Sequence, residues 1–68
     1  MQKWEYMSIW VDEDWKVQTI VGCREFQEND ELPHFVEFLN LAGERGWEMI
    51  NVVSVTRGHR VFFKRPRA

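Results

Sequence analysis

The sequence predicts a small α+β domain, an antiparallel four-stranded sheet in the order strand–strand–helix–strand–strand with one helix packed on one face. Three observations lead there. Four segments rich in aromatic and β-branched residues, at 4–11, 15–21, 47–56 and 60–64, read as strands. Between the second and third, apolar residues recur at helical spacing. The first strand is also apolar on both sides, with Trp4, Tyr6 and Trp10 on one and Met7, Ile9 and Val11 on the other. A half-buried strand should be polar on one side, so two apolar faces and one helix imply a second cover.

Each element has a local reason. Residues 4–11 alternate, and Asp12-Glu13-Asp14 is a polar break suited to a hairpin turn. Trp15 to Val21 resumes the pattern, with Val17, Thr19 and Val21 on one side and Ile20 on the other, and ends at Gly22. Residues 23–30 are mostly polar apart from Phe26. A helix then begins: Asn29 or Asp30 can cap it, Glu31 suits the positive end of its dipole, and Pro33 fits a first turn. Leu32, Phe35, Val36, Leu39 and Ala42 form one stripe, which Phe38 and Leu41 widen. Gly46 sits where a left-handed residue would stop the helix, letting Trp47 fold back onto the last turn. Gly43 weakens that turn and is expected to permit close approach of helix and sheet. Residues 47–56 form the third strand, with Ile50 and Val52 on one face and Met49, Val53 and Val55 on the other. Thr56-Arg57-Gly58-His59 is the next turn, Arg60 to Lys64 the fourth strand, and Pro66 its end. Met7, Ile9, Ile50 and Val52 are expected beneath the helix, with the tryptophans outside.

The 68 residues predict a single domain over 1–68. A core this small rarely supplies more than about 3–5 kcal/mol, so dense aromatic packing or self-association is expected to supplement it. The chain has four Trp, five Phe and one Tyr, which suit both roles. The lone Cys23 excludes an internal disulfide and points to a reducing, cytoplasmic compartment. No signal peptide is expected from the opening residues, and no run approaches the ~18–20 apolar residues of a membrane span. Net charge is −2 but unevenly placed. Residues 47–68 carry five basic side chains against Glu48, giving +4, whereas residues 24–46 carry two basic and six acidic, giving −4. The last strand is therefore basic and the helix region acidic.

Three segments together are similar to a known family. Lys3-Trp4-Glu5-Tyr6, then Leu39-Asn40 with Gly43 and Gly46-Trp47-Glu48, then Phe62-Phe63-Lys64-Arg65-Pro66 resemble the small bacterial and phage family called domain of unknown function 4177. The resemblance spans nearly the whole chain and is most specific at Gly46-Trp47-Glu48. It implies a small α+β fold and no settled activity. The stretch between Asp12 and Asp30 looks longer than that pattern.

Catalytic chemistry finds little support. Cys23, His34 and His59 are the obvious nucleophile and imidazole candidates, and no catalytic motif surrounds them. Glu48 is expected to pair with Arg60 or Lys64 across the last hairpin. The histidines and cysteine lack zinc spacing, and Asp12-Glu13-Asp14 lacks the glycine and terminal glutamate of a calcium loop, so neither metal nor cofactor is expected.

The aromatic set carries the functional reading. Trp4, Tyr6, Trp10, Trp15 and Phe62 are the expected binding or interface residues, and Arg57, Arg60 and Lys64 a candidate anion-binding group. The expected function is a non-enzymatic module that self-associates, as a homodimer, through an apolar aromatic sheet face. The alternative is a protein that stacks a small nucleotide-like anion on its aromatics beside the C-terminal cations. Long nucleic acid demands more cation than this acidic chain displays. Convergence of the basic residues on one cleft with Trp10 or Trp15 would favour the ligand, and their dispersal would favour assembly.

Overall fold

The structure is a computed structural model that describes residues 1–24, 26 and 34–67. Its elements are β1 (Trp4–Asp12), β2 (Val17–Val21), α1 (Phe35–Glu44), β3 (Glu48–Val55) and β4 (Gly58–Pro66). The strands form one antiparallel sheet in the order β2-β1-β4-β3. This is the expected α+β architecture. The two strands nearest the termini, β1 and β4, pair over their full lengths at its centre, and β2 and β3 are the edges.

Alternation on β1 sends Met7, Ile9 and Val11 to the helix side, where all three are buried. Their cross-strand partners on β4 include Phe63 opposite Met7 and Val61 opposite Ile9. Phe38 and Ala42 of α1 complete the core with Val17 and Trp47, and Phe35, Leu39, Ile20, Cys23 and Phe26 pack at its margin. Phe38 meets Phe63 and Phe26 edge-on, at centroid distances of 5.9 and 5.0 Å, a geometry that aligns ring edge with ring face.

The helix departs from expectation at its start. His34 is extended, with φ −63° and ψ 153°, and is the N-cap. Its Nδ1 accepts from the Val36 N–H, and Glu37 accepts from the His34 N–H, so the first orphan donors are satisfied reciprocally. Asn29, Asp30, Glu31, Leu32 and Pro33 lie outside the described residues. Phe38 and Ala42 are buried with Phe35 and Leu39 half-buried beside them; Val36 and Leu41, expected within or beside this stripe, are exposed. The far end follows the sequence. Gly46 has φ 87°, its N–H donates to Gly43 O, and the Trp47 N–H donates to Ala42 O. This six-to-one closure turns Trp47 back against Ala42.

Both edge strands carry a register shift that overturns the expected parity. In β2 the shift falls between the Trp10–Thr19 and Val11–Val17 pairs, so Val17 faces the helix with Ile20, and Thr19 and Val21 face away. In β3, Met49 pairs with Phe63 and Asn51 with Phe62, leaving Ile50 as the extra residue. Met49 therefore joins Val52 on the helix side. Neither Ile50 nor Val52 is buried beneath α1, contrary to expectation; every residue of β3 is exposed. Gly43 has no atom within 4 Å of the place its Cβ would take, so it does not mediate close approach.

The turns are tighter than the sequence suggested. Asp12 Oδ1 accepts from the N–H groups of Asp14 and Lys16, and Oδ2 accepts from Gln18 Nε2. The chain then passes through Trp15 at φ 62°. Only Thr56 and Arg57 link β3 to β4, and His59 belongs to β4, opposite Val11 and Ser54. None of the helices is long and apolar enough to cross a membrane, among the described residues.

Candidate functional site: the open sheet face

Opposite α1, the sheet presents a second side-chain grid set by register. Trp4 lies beside Pro66; Tyr6 beside Lys64 and Glu48; Ser8 beside Val21, Phe62 and Asn51; Trp10 beside Thr19, Arg60 and Val53. No element among the described residues lies over this face. Tyr6 is 61% exposed and Trp4 and Phe62 each 39%, with Val21, Val53 and Val55 exposed around them. The face is mixed: its aromatic and aliphatic side chains stand among Ser8, Thr19, Asn51, Arg60, Lys64 and Glu48.

Two features hold the grid in place. Lys64 Nζ stands 4.3 Å from the centroid of Trp4, a cation–π contact that ties β4 to β1 at the start of the face. At the other end, Gly58 leaves room for Trp10. A Cβ there would stand 3.1 Å from Trp10 Nε1 and 2.1 Å from Val11 O, and its φ of 154° is one that side chains disfavour. The half-buried Trp10 indole thus lies where β4 lacks a side chain.

The other expected site residues separate. Trp15 stands on the helix side, stacked on His59 at 4.3 Å and 16° and on Phe35 at 5.7 Å and 26°. Its carbonyl accepts from the Phe35 N–H at 2.7 Å, so it anchors the helix N-terminus to the β1–β2 turn. It therefore does not join Trp4, Tyr6 and Trp10. Arg57 sits in the β3–β4 turn at φ 64°. Arg60 and Lys64 share the open face, but four residues apart on one strand they lie about 13 Å apart with Phe62 between them. The Lys64 ammonium rests on Trp4, toward the Pro66 end of the strand and away from Arg60.

Arg65 has a task that sequence reasoning missed. It faces the helix side, forms an ion pair with Glu5, and donates from Nη1 to Arg45 O at 2.9 Å. Its guanidinium stands 4.3 Å from the centroid of Trp47. One side chain thus joins β1, the helix C-terminus and the helix-to-strand junction. The usable signal was Glu5 opposite Arg65, legible only once β1 is known to pair with β4. Glu48 lies opposite Lys64, as one of its two expected pairings required, although the Lys64 ammonium rests on Trp4.

Among the described residues, Cys23, His34 and His59 stand apart from one another. Cys23 follows β2 beyond Val21, which pairs with Ser8, whereas His59 pairs with Val11 and His34 bridges Lys16. Along the strands this separates thiol level from imidazole level by more than about 10 Å. No group of three potential metal ligands gathers among the described residues. Trp47 Nε1 and His59 Nδ1 are buried without hydrogen-bond partners in the described structure; stacking with Arg65 and Trp15 holds both rings. Asp12 has its pKa lowered, chiefly by the Lys16 N–H, with Gln18 and the Asp14 N–H adding to it. That carboxylate serves a turn.

No family model, curated protein or solved structure matches the chain.

Proposed function

We propose that this protein is a non-enzymatic interaction module of the cytoplasm that self-associates, as a homodimer, through the open face of its sheet. The observation that carries the reading is the uncovered grid of Trp4, Tyr6, Trp10, Phe62, Val53 and Val55 on the side opposite α1. Aromatic side chains of this kind dominate interfaces because they bury large areas at small entropic cost. A symmetric pair is the simplest closed arrangement that covers one such face with another. Dispersal of the basic residues supports assembly over a nucleotide-like ligand: Arg57 is in a turn, Arg65 is engaged behind the sheet, and Phe62 separates Arg60 from Lys64. The resemblance to the domain of unknown function 4177 family belongs to the same proposal and adds no activity to it.

The test is a Tyr6→Ala/Phe62→Ala double variant. Both residues are exposed in the monomer, so its fold should survive. A buried interface aromatic contributes about 2 kcal/mol or more, equivalent to a loss of about 30-fold in affinity for each. Sedimentation equilibrium should show weaker association with an unchanged circular-dichroism spectrum. An unchanged dissociation constant would remove the open face from consideration. Quenching of tryptophan emission by a nucleotide, lost in Arg60→Ala/Lys64→Ala, would favour the ligand reading instead.

A further inference from the structure

We propose that the open faces of two copies pack about a twofold axis running along the strands, so that the cations of β4 in each copy lie over the aromatic row of β1 in the other. This rests on the self-association proposed above and names its geometry.

The open face complements itself in one orientation. Its two central strands carry different side chains at matched levels: Tyr6, Ser8 and Trp10 on β1 stand opposite Lys64, Phe62 and Arg60 on β4. From Trp4 to Trp10 the β1 row has no charge on this face, whereas β4 places two cations there. Two sheets packed face to face in the aligned manner lie about 10 Å apart, and the twofold that relates them runs either along the strands or across them. An axis along the strands, midway between β1 and β4, exchanges the central strands and keeps every level. Arg60 then lies over the partner's Trp10, Lys64 over the partner's Tyr6, and the bulky Phe62 over the partner's small Ser8. On one flank β3 lies over the partner's β2, with Val53 over the partner's Thr19. Glu48, at the level of Lys64, stays at the rim beyond Val21, where the partner's β2 ends.

An axis across the strands, through the level of Ser8 and Phe62, lays each strand over its own copy and reverses the levels. Arg60 then opposes the partner's Lys64, and the same repulsion recurs in the symmetric pair. Phe62 meets Phe62, while Ser8 faces Ser8 across a gap. Like charges brought together away from water are costly. A cation over an aromatic ring is attracted to it, as Lys64 already is to Trp4 at 4.3 Å. Charge and size thus both favour the axis along the strands. They also favour a second copy as the occupant, because the aromatic row that suits the cations of β4 is the one this chain carries beside them, at the same spacing.

Two measurements on the full chain test the arrangement. The first is a distance. Arg57 lies in the β3–β4 turn, five positions before Phe62. A nitroxide on Arg57→Cys in a Cys23→Ser background labels each chain once. An axis along the strands brings both turns to one end, with their backbones about 15 Å apart, whereas an axis across them sets the turns about 34 Å apart. Dipolar electron resonance should find the short distance. The second is a sign. Arg60→Glu sets a carboxylate over the partner's Trp10 and should weaken association by about tenfold or more. With the other axis it would meet the partner's Lys64 and tighten association instead. Circular dichroism reports whether each variant keeps the fold, and either measurement decides alone should the other variant unfold. The long distance, or an Arg60→Glu dimer as tight as the parent's or tighter, overturns the proposal while leaving self-association in place. A parent with the mass of one chain at every concentration refutes the self-association itself, and this arrangement with it.

Discussion

Replacing Gly58 by alanine asks whether the aromatic face depends on the close approach of β4 to β1. The added Cβ would stand 2.1 Å from Val11 O and 3.1 Å from Asp12 Cα, both backbone atoms of a central strand. Neither can rotate aside, so β4 must move away from β1 where their pairing ends at Asp12 and Gly58. The φ of 154° adds about 1–3 kcal/mol of backbone strain for a residue with a side chain. With the displaced ladder the total is about 3 kcal/mol or more, comparable to what a core of this size supplies. Gly43→Ala is the matched control. It sits in α1 with open space where the Cβ would go, so the same change should stabilise by about 0.5–1 kcal/mol. Urea unfolding followed by tryptophan emission and circular dichroism measures both. A Gly58→Ala midpoint equal to the parent's would refute the close approach, and with it the seat assigned to Trp10.

Two further outcomes follow from side chains away from the open face. Arg65→Ala should cost about 1–2 kcal/mol, since it removes a partly exposed ion pair, the bond to Arg45 O and the contact over Trp47; a loss near zero in urea unfolding would deny it a joining role. Asp12 has a lowered pKa in the fold, so its contribution is present above the ordinary carboxylate value of about 4 and is lost as pH falls through the lower folded value. Asp12→Asn should flatten the acid side of the stability–pH profile, and a variant with the parent's slope there would contradict the account.

How far the fold could be read from the chain depended on where each strand lies in the sheet. β1 is central and regular, so simple alternation sorted Met7, Ile9 and Val11 from Trp4, Tyr6 and Trp10. The turn of the helix into Trp47 was legible because Gly46 supplies the left-handed residue and an apolar residue follows it. β2 and β3 were misread for a shared reason. Each is an edge strand with one extra residue, and a bulge exchanges the faces of everything beyond it. Strand order decides which segments are edges, and alternation within a segment carries no such information. Whereas β2 begins at Val17, Trp15 reads from sequence as the start of the second strand, beside the aromatics of the first. Its positive φ and its stack on His59, 44 positions further along, belong to tertiary structure. The candidate site was thus half legible: Trp4, Tyr6, Trp10 and Phe62 share a face, whereas Trp15 and Arg57 stand elsewhere.

The central claim is that the open sheet face is covered by another copy of this protein. Molar mass of the full chain by size-exclusion chromatography with light scattering, across a dilution series, tests it most directly. The account predicts a mass above the 8.3 kDa of one chain that falls toward it on dilution. A mass of one chain at every concentration would contradict it and would leave the aromatic face open to a ligand or a foreign partner.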